Sequence, residues 1–269
     1  MKVLVSFLLL ILPLYAVQIN FAPGQPVRQE EKVTLSFKSE FEQQEVSSTL
    51  QFEQTVIWQV PAQAAVGGYP FELSRVLQQA SRKSTLNGVY EKNVSTDNPQ
   101  TNTTMQKLAT LVGKPLVVTF ENPDQIPVME KMQGAEHAYV AMDTLSEMAA
   151  LIGQEVHEGM VLKWTLETTP QRPFVAEITL TVTHVADEEV IAEITENVER
   201  QRFTLAEQEY VVTGSWKGTL KWNVKNGLLF QSEGKGTTHL SAVYAGQPIR
   251  LTMDVQRTVQ STPQEAPAS

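Results

Sequence analysis

The chain has 269 residues, no cysteine and a formal net charge of −9. The missing cysteines exclude disulfides, thiolate metal sites, a cysteine nucleophile and an acylated N-terminal cysteine. The acidic balance, with no cluster of four or more Lys/Arg, excludes the basic footprint that nucleic acid requires.

Residues 1–16, MKVLVSFLLLILPLYA, carry Lys2, an apolar run from Val3 to Leu14 broken by Ser6, and a small residue at Ala16. That is the layout of a cleavable secretory signal, cut between Ala16 and Val17. The run is shorter than the ~20 residues that span a bilayer, so no stable membrane span is expected after cleavage. An exported chain of this length without disulfides points to a bacterial envelope, in the periplasm or outside the cell, and not to an acylated lipoprotein. Residues 17–31 read as an extended N-terminal segment.

From residue 32 onward the pattern is period-2 alternation, the mark of half-buried strands. Val33, Leu35 and Phe37 alternate with Thr34, Ser36 and Lys38. Leu50, Phe52, Val56, Trp58 and Val60 share one parity. Two segments read as helices. Met105 to Leu111 stops at Gly113 and Pro115, and Asp143 to Leu151 has an N-cap candidate at Asp143 and closes at Gly153. Phe71 to Ser81 reads equally as a third helix or as an irregular strand. The strand signals then resume. Leu162, Trp164 and Leu166 share a parity, as do Ile178, Leu180 and Val182, then Leu220, Trp222 and Val224, then Ile249, Leu251, Met253 and Val255. Asp187 to Glu189, Lys225 to Gly227 and Ala245 to Gln247 read as hairpin turns. Residues 260–269, QSTPQEAPAS, have a disordered composition.

One apolar and one wet face per strand imply antiparallel sheet. The expected fold is therefore β-rich α+β, with twisted antiparallel sheets and two or three short helices packed on one side. The β-rich domain spans 32–259. Trp-bearing strands on both sides of a helical middle suggest halves at 32–134 and 155–259, which either duplication or ordinary strand composition explains.

The order of features resembles an exported bacterial family catalogued as domain of unknown function 6263. KVTLSF and TLQFEQTVIWQV resemble its early meander, and GVYEKNVSTDNP its short polar stretch before a helix. LATLVGKPLVVTFENPDQIPVMEK resembles its helix, strand and following hairpin, EGMVLKWTLET its Gly-x-x-Trp strand, and GTLKWNVKNGLLFQSEGKG a late hairpin. The resemblance covers about residues 30–258 and rests on pattern. EGMVLKW departs from the expected Gly-Asp-Ser-Trp start. The resemblance implies export and a β-rich fold and brings no catalytic residues.

The sequence carries no assembled chemistry. His137, His157, His184 and His239 lack metal-ligand spacing. His157, between Glu155 and Glu158, offers a carboxylate–imidazole pair, a pattern more common in solvated turns than in proton transfer. There is no G-x-S-x-G elbow and no phosphate loop. No cofactor or metal is expected. The aromatic residues on the apolar parity remain. Trp58, Trp164, Trp222, Phe52 and Phe230 are either core or the lining of a pocket for a lipid or another apolar small molecule. The expected function is a non-enzymatic exported envelope protein that binds such a ligand in a sheet/helix cavity. A structural module docking another envelope protein is the alternative, and a hydrolase with an unrecognised site is a weaker one.

Overall fold

The computed structural model describes residues 16–19, 26–41, 44–60, 71–88, 90–100, 102–120, 147, 150–166, 174–205, 208–244 and 247–263. Its first strand, β1 (Ala16–Gln18), is separate from the main sheet. β2 (Val27–Phe41), β3 (Gln44–Gln59), β4 (Phe71–Leu86) and β5 (Tyr90–Ser95) run as a meander into the helix α1 (Thr103–Ala109) and β6 (Pro115–Phe120). The short strands β7 (Glu155–His157) and β8 (Val161–Leu166) precede a second meander. It is built from β9 (Ala176–Val185), β10 (Glu189–Leu205), β11 (Gln208–Asn223), β12 (Leu229–Tyr244) and β13 (Gln247–Pro263).

All the ladders are antiparallel, and one 11-stranded sheet takes up both meanders, in the order β5, β4, β3, β2, β13, β12, β11, β10, β9, β8. β13 joins them by pairing with β2 from Arg250↔Glu40 to Pro263↔Val27. β6 lies beside β5 on the same edge of β4, each pairing with a different end of that strand. Strands of 15–17 residues are about 50 Å long, and a sheet of this width curls through its twist. The curl brings β3 and β4 toward β9 to β12. Trp58, Leu73 and Leu77 consequently share one packed cluster with Leu180, Leu220, Trp222 and Leu229. Among the described residues no ladder joins β8 to β5 or β6.

The fold is all-β with one helix among the described residues, which corrects the α+β expectation. Phe71 to Ser81 belongs to β4. A β-bulge between Thr55 and Val56 places Leu77 opposite Val56 and Gln79 opposite Thr55. The buried positions of β4 therefore run Leu73, Arg75, Leu77, Ala80. The three-residue step at the bulge imitates a helical period in a strand. α1 is the helix expected at Met105 to Leu111, shifted by two residues. The Asn102 side chain caps it by accepting from the Met105 N–H at 3.0 Å. Met105 and Leu108 face the core. Of the helix expected over Asp143 to Leu151, Glu147 is helical and 150–151 form a turn, while 143–146 and 148–149 lie outside the described residues.

A small plug fills one end of the curled sheet. It consists of α1, the β1–β7 ribbon and the turn at 150–153. Ile19, Met105, Leu151 and Val156 have no exposed surface there. β13 continues to Pro263, and 264–269 lie outside the described residues.

Candidate functional site

Parity defines the inner face. On β2 the buried residues Val27, Gln29 and Glu31 are followed at the same parity by Val33, Leu35 and Phe37. β2 pairs with β3 and with β13 without a bulge. Leu35 therefore lies between Leu50 and Val255, Val33 between Phe52 and Arg257, and Phe37 between Ser48 and Met253, all on one face. Along this face the environment changes.

At the plugged end the face is sealed and holds a buried polar network. Arg257 Nε donates to Glu31 Oε1 at 3.0 Å, and its Nη1 donates to Glu147 Oε1 at 2.9 Å. Gln54 donates its amide N–H to the other Glu31 oxygen and accepts from Arg75 Nη2 at 3.0 Å. The Arg75 guanidinium lies over the Trp58 ring, 5.7 Å from its centroid. Trp58 Nε1 donates to Gln29 Oε1 at 2.8 Å, and the Gln29 amide reaches Ser261 Oγ at 3.2 Å and the Leu229 carbonyl at 3.4 Å. Two guanidinium groups and two carboxylates thus compensate one another out of water, the condition for burying such charges. Burial lowers the Arg75 pKa to about 10 against the pull of Glu31, which leaves it charged at neutral pH. Arg75 Nε has no hydrogen-bond partner among the described residues.

At the opposite end the same face is aliphatic and half-buried. Val33, Leu35, Phe37, Leu50, Leu251, Met253 and Val255 belong to neither packed cluster of the described residues. Val46, opposite Ser39, and Leu86, opposite Ser48, continue the face to the rim at 43% and 48% exposure. The stripe is three strands wide, ~10 Å between the outer two, and Val33 to Phe37 gives it a length of ~14 Å.

Trp216 sits where the two environments meet. It lies opposite Gly236, and its ring covers Gly218 and Gly234, where a Cβ would run into it. Gly236 pairs on its other side with Val255, part of the aliphatic stripe. On the sealed side, Trp216 lines a cavity of about 20 Å³ with Glu147, Trp164, Leu166, Ile178, Ile194 and Glu196. The buried Trp164 Nε1 has no partner among the described residues. The cavity is large enough for one water molecule.

The residues singled out in the sequence separate accordingly. Trp58, at 1% exposure, and Trp222, at 0%, are sealed core. Trp164 and Phe52 are half-buried and pack against that core. Phe230 is half-buried, at the register shift where Trp222 faces Leu229 and Lys221 faces Gln231. Of these five, Phe52 borders the aliphatic stripe through its pairing with Val33. Ala16 and Val17 form β1, opposite His157 and Val156. The carboxylate–imidazole pair is His184 Nδ1 with Glu158 at 3.2 Å, exposed beside a turn. His157 Nδ1 lies 2.9 Å from the Glu158 carbonyl oxygen and His239 Nδ1 3.2 Å from Thr252 Oγ1. His137 lies outside the described residues, among which no group of three His, Asp or Glu could hold a metal ion.

Sequence reasoning gave no site role to Gln29, Glu31, Gln54, Arg75, Arg257 and Trp216, reading Glu31 as part of a polar connecting segment and Trp216 as following a glycine turn. A signal was available for most of them. Gln54 stands at the apolar parity between Phe52 and Val56, Arg257 between Val255 and Val259, and Glu31 two residues before Val33. A polar residue at an apolar-parity position calls for a buried partner. For Trp216 the signal was glycine at 214, 218, 234 and 236 in neighbouring strands.

No family model and no curated protein matches the chain. Among solved structures it is similar to an outer membrane channel from Pseudomonas putida F1, with 6% identity, 91% of this chain and 98% of that one covered, and a TM-score of 0.25. It is also similar to a Bacteroides fragilis protein described as exported and of YmcC-like fold, with 10% identity, 91% and 99% covered, and a TM-score of 0.19. Both descriptions concern bacterial envelope or exported proteins, and at such scores the superpositions carry no argument about this chain.

Proposed function

We propose that the protein is an exported, non-enzymatic binder of one long apolar chain, such as an acyl chain, held on the aliphatic inner face of β3, β2 and β13. The observation that carries this reading is the face itself. Seven aliphatic or aromatic side chains continue the core parity beyond the packed clusters, and a large apolar surface outside a core marks a ligand or partner site. The narrow stripe suits a chain better than a broad ring system. Its inner end meets Trp216 and a charge-compensated network, so the ligand enters tail first and keeps any polar head at the rim.

The opposite face supports an aqueous setting. Thr34, Ser36, Lys38, Thr179, Thr181 and Thr183 occupy outward positions, the reverse of the apolar outer band of a membrane β-barrel. Two outward depressions, of about 480 and 540 Å³, are lined largely by polar and charged side chains. Export rests on the N-terminal segment.

The test is titration of delipidated mature protein with fatty acids of increasing length, read by tryptophan fluorescence and native mass spectrometry. Saturable 1:1 binding is expected. Leu35→Asp, which puts a charge in the middle of the stripe, should weaken it at least about tenfold with the fold intact by circular dichroism. No saturable binding by wild-type protein would sink the reading.

A further inference from the structure

We propose that the Trp216 ring sets the length of apolar chain the protein accepts, by filling a glycine-floored hollow that continues the aliphatic stripe. This role rests on the apolar-chain reading. One row of cross-strand partners runs from Leu50 and Leu35 through Val255 and Gly236 to Trp216, across β3, β2, β13, β12 and β11. Trp216 is therefore in register with the middle of the stripe. A single residue, Gly236, stands between it and Val255, and that residue has no side chain.

One rung nearer the sealed end, Gly218 and Gly234 face each other, and the six-membered ring of Trp216 lies where a Cβ on either would stand. Inward side chains of a strand normally rise off the sheet. Here two glycines let the ring lie down on the backbone instead. The β11–β12 ladder is made by backbone groups and does not need the ring. Without it, the hollow would be floored by Gly218 and Gly234 and open past Gly236 toward Val255. An apolar hollow accepts an apolar guest. The hollow is also bounded. The row turns polar at Glu196, the next partner of Trp216, and Gly234 lies beside Arg257, whose guanidinium is held by Glu31 and Glu147. A tail that takes the place of the ring gains the hollow and stops at those charges.

The experiment titrates delipidated mature protein with unbranched saturated fatty acids of increasing length, read by native mass spectrometry. Each CH₂ withdrawn from water is worth about fourfold in affinity. Wild-type affinity should rise at that rate until the tail meets the ring, and then level off. In Trp216→Ala the plateau should move to longer chains. An acid two CH₂ groups beyond the wild-type plateau should bind the variant at least about tenfold more tightly than it binds wild type. A ring that only supported the fold would change affinity alike at every length and leave the plateau in place. Trp216→Phe keeps a smaller ring against the core and should move the plateau the same way by less. It carries the test if circular dichroism shows the alanine variant unfolded. A wild-type profile that never levels off, or a plateau at the same length in every folded variant, would overturn the role of Trp216 and leave the binding reading standing. Absence of saturable binding to wild-type protein at every length overturns that reading, and this role with it.

Discussion

The two ends of the inner face are made by the same strands at the same parity, yet they are different places. At one end Trp58, Trp222, Leu220 and Leu229 are sealed, and charges can be buried among them because each finds a partner. At the other end Leu35, Phe37, Leu50 and Met253 stay half-buried. Strand composition does not make the difference, since both ends alternate cleanly. The plug does: α1, the β1–β7 ribbon and the turn at 150–153 join the Trp58–Trp222 cluster. A curved sheet supplies an apolar face, and the element laid on it decides which part becomes core and which part can receive a ligand.

The largest effect that would test this contrast is at Arg257. Arg257→Ala would leave Glu31 and Glu147 close together without the cation between them, and removing one partner of a buried pair costs about 3–5 kcal/mol. Urea unfolding should show a loss of that size. The open-end substitution Met253→Ala, four residues earlier on the same face of β13, should cost about 1 kcal/mol, because less of that side chain is withdrawn from water. Equal costs at the two positions would mean that the two ends are not energetically distinct.

The contrast also shows what the sequence could reveal. Period-2 alternation identified parts of β2, β3, β8, β9, β11 and β13, because each has one dry and one wet face and a one-residue slip would invert it, whereas β10 and β12 were not read from alternation. β4 was ambiguous because a bulge in its pairing with β3 adds one residue between Leu77 and Ala80. The aromatic residues of the apolar parity were visible, but not their separation into sealed Trp58 and Trp222 and half-buried Phe52. That separation depends on which distant segment covers them, and no local spacing encodes it. The network was half legible. Gln54 and Arg257 stand out at apolar parity, whereas their meeting needs β2, β3, β4 and β13 side by side, and Glu31 and Arg257 stand 226 positions apart in the chain.

A smaller effect probes the boundary at Trp216. A methyl group at Gly234 would fall inside the Trp216 ring, with no backbone atom among its three nearest neighbours. Gly234→Ala should therefore lift the ring rather than break the sheet, at about 1–3 kcal/mol. Trp216→Ala alone loses ring contacts with the core. Combined with Gly234→Ala it removes the clash, so the double variant should be more stable than the sum of the single costs. Urea unfolding of the four proteins of this cycle measures the coupling. Strict additivity would show that the glycines do not seat the ring.

The smallest effect concerns the turns that close the sealed end. Lys225 Nζ lies 2.7 Å from Glu188 Oε1, and the Val224 N–H donates to the Glu188 carbonyl at 3.0 Å, tying the β11–β12 turn to the β9–β10 turn. The hydrogen bond from Lys225, then its charge, lowers the Glu188 pKa below its ordinary 4.5, and the same contact raises that of Lys225 above 10.5. For Glu188 the contribution is present above 4.5 and is lost as pH falls through the depressed value. For Lys225 it is present below 10.5 and is lost as pH rises through the raised value. Between those limits the pair contributes, but both groups are fully exposed, so salt should screen it. Lys225→Met should lower the Tm slightly at pH 7 and low ionic strength, and the difference should vanish in about 1 M salt, where the Debye length is ~3 Å. If it persists, the backbone bond and the packing of the lysine stem, rather than charge, hold the two turns together.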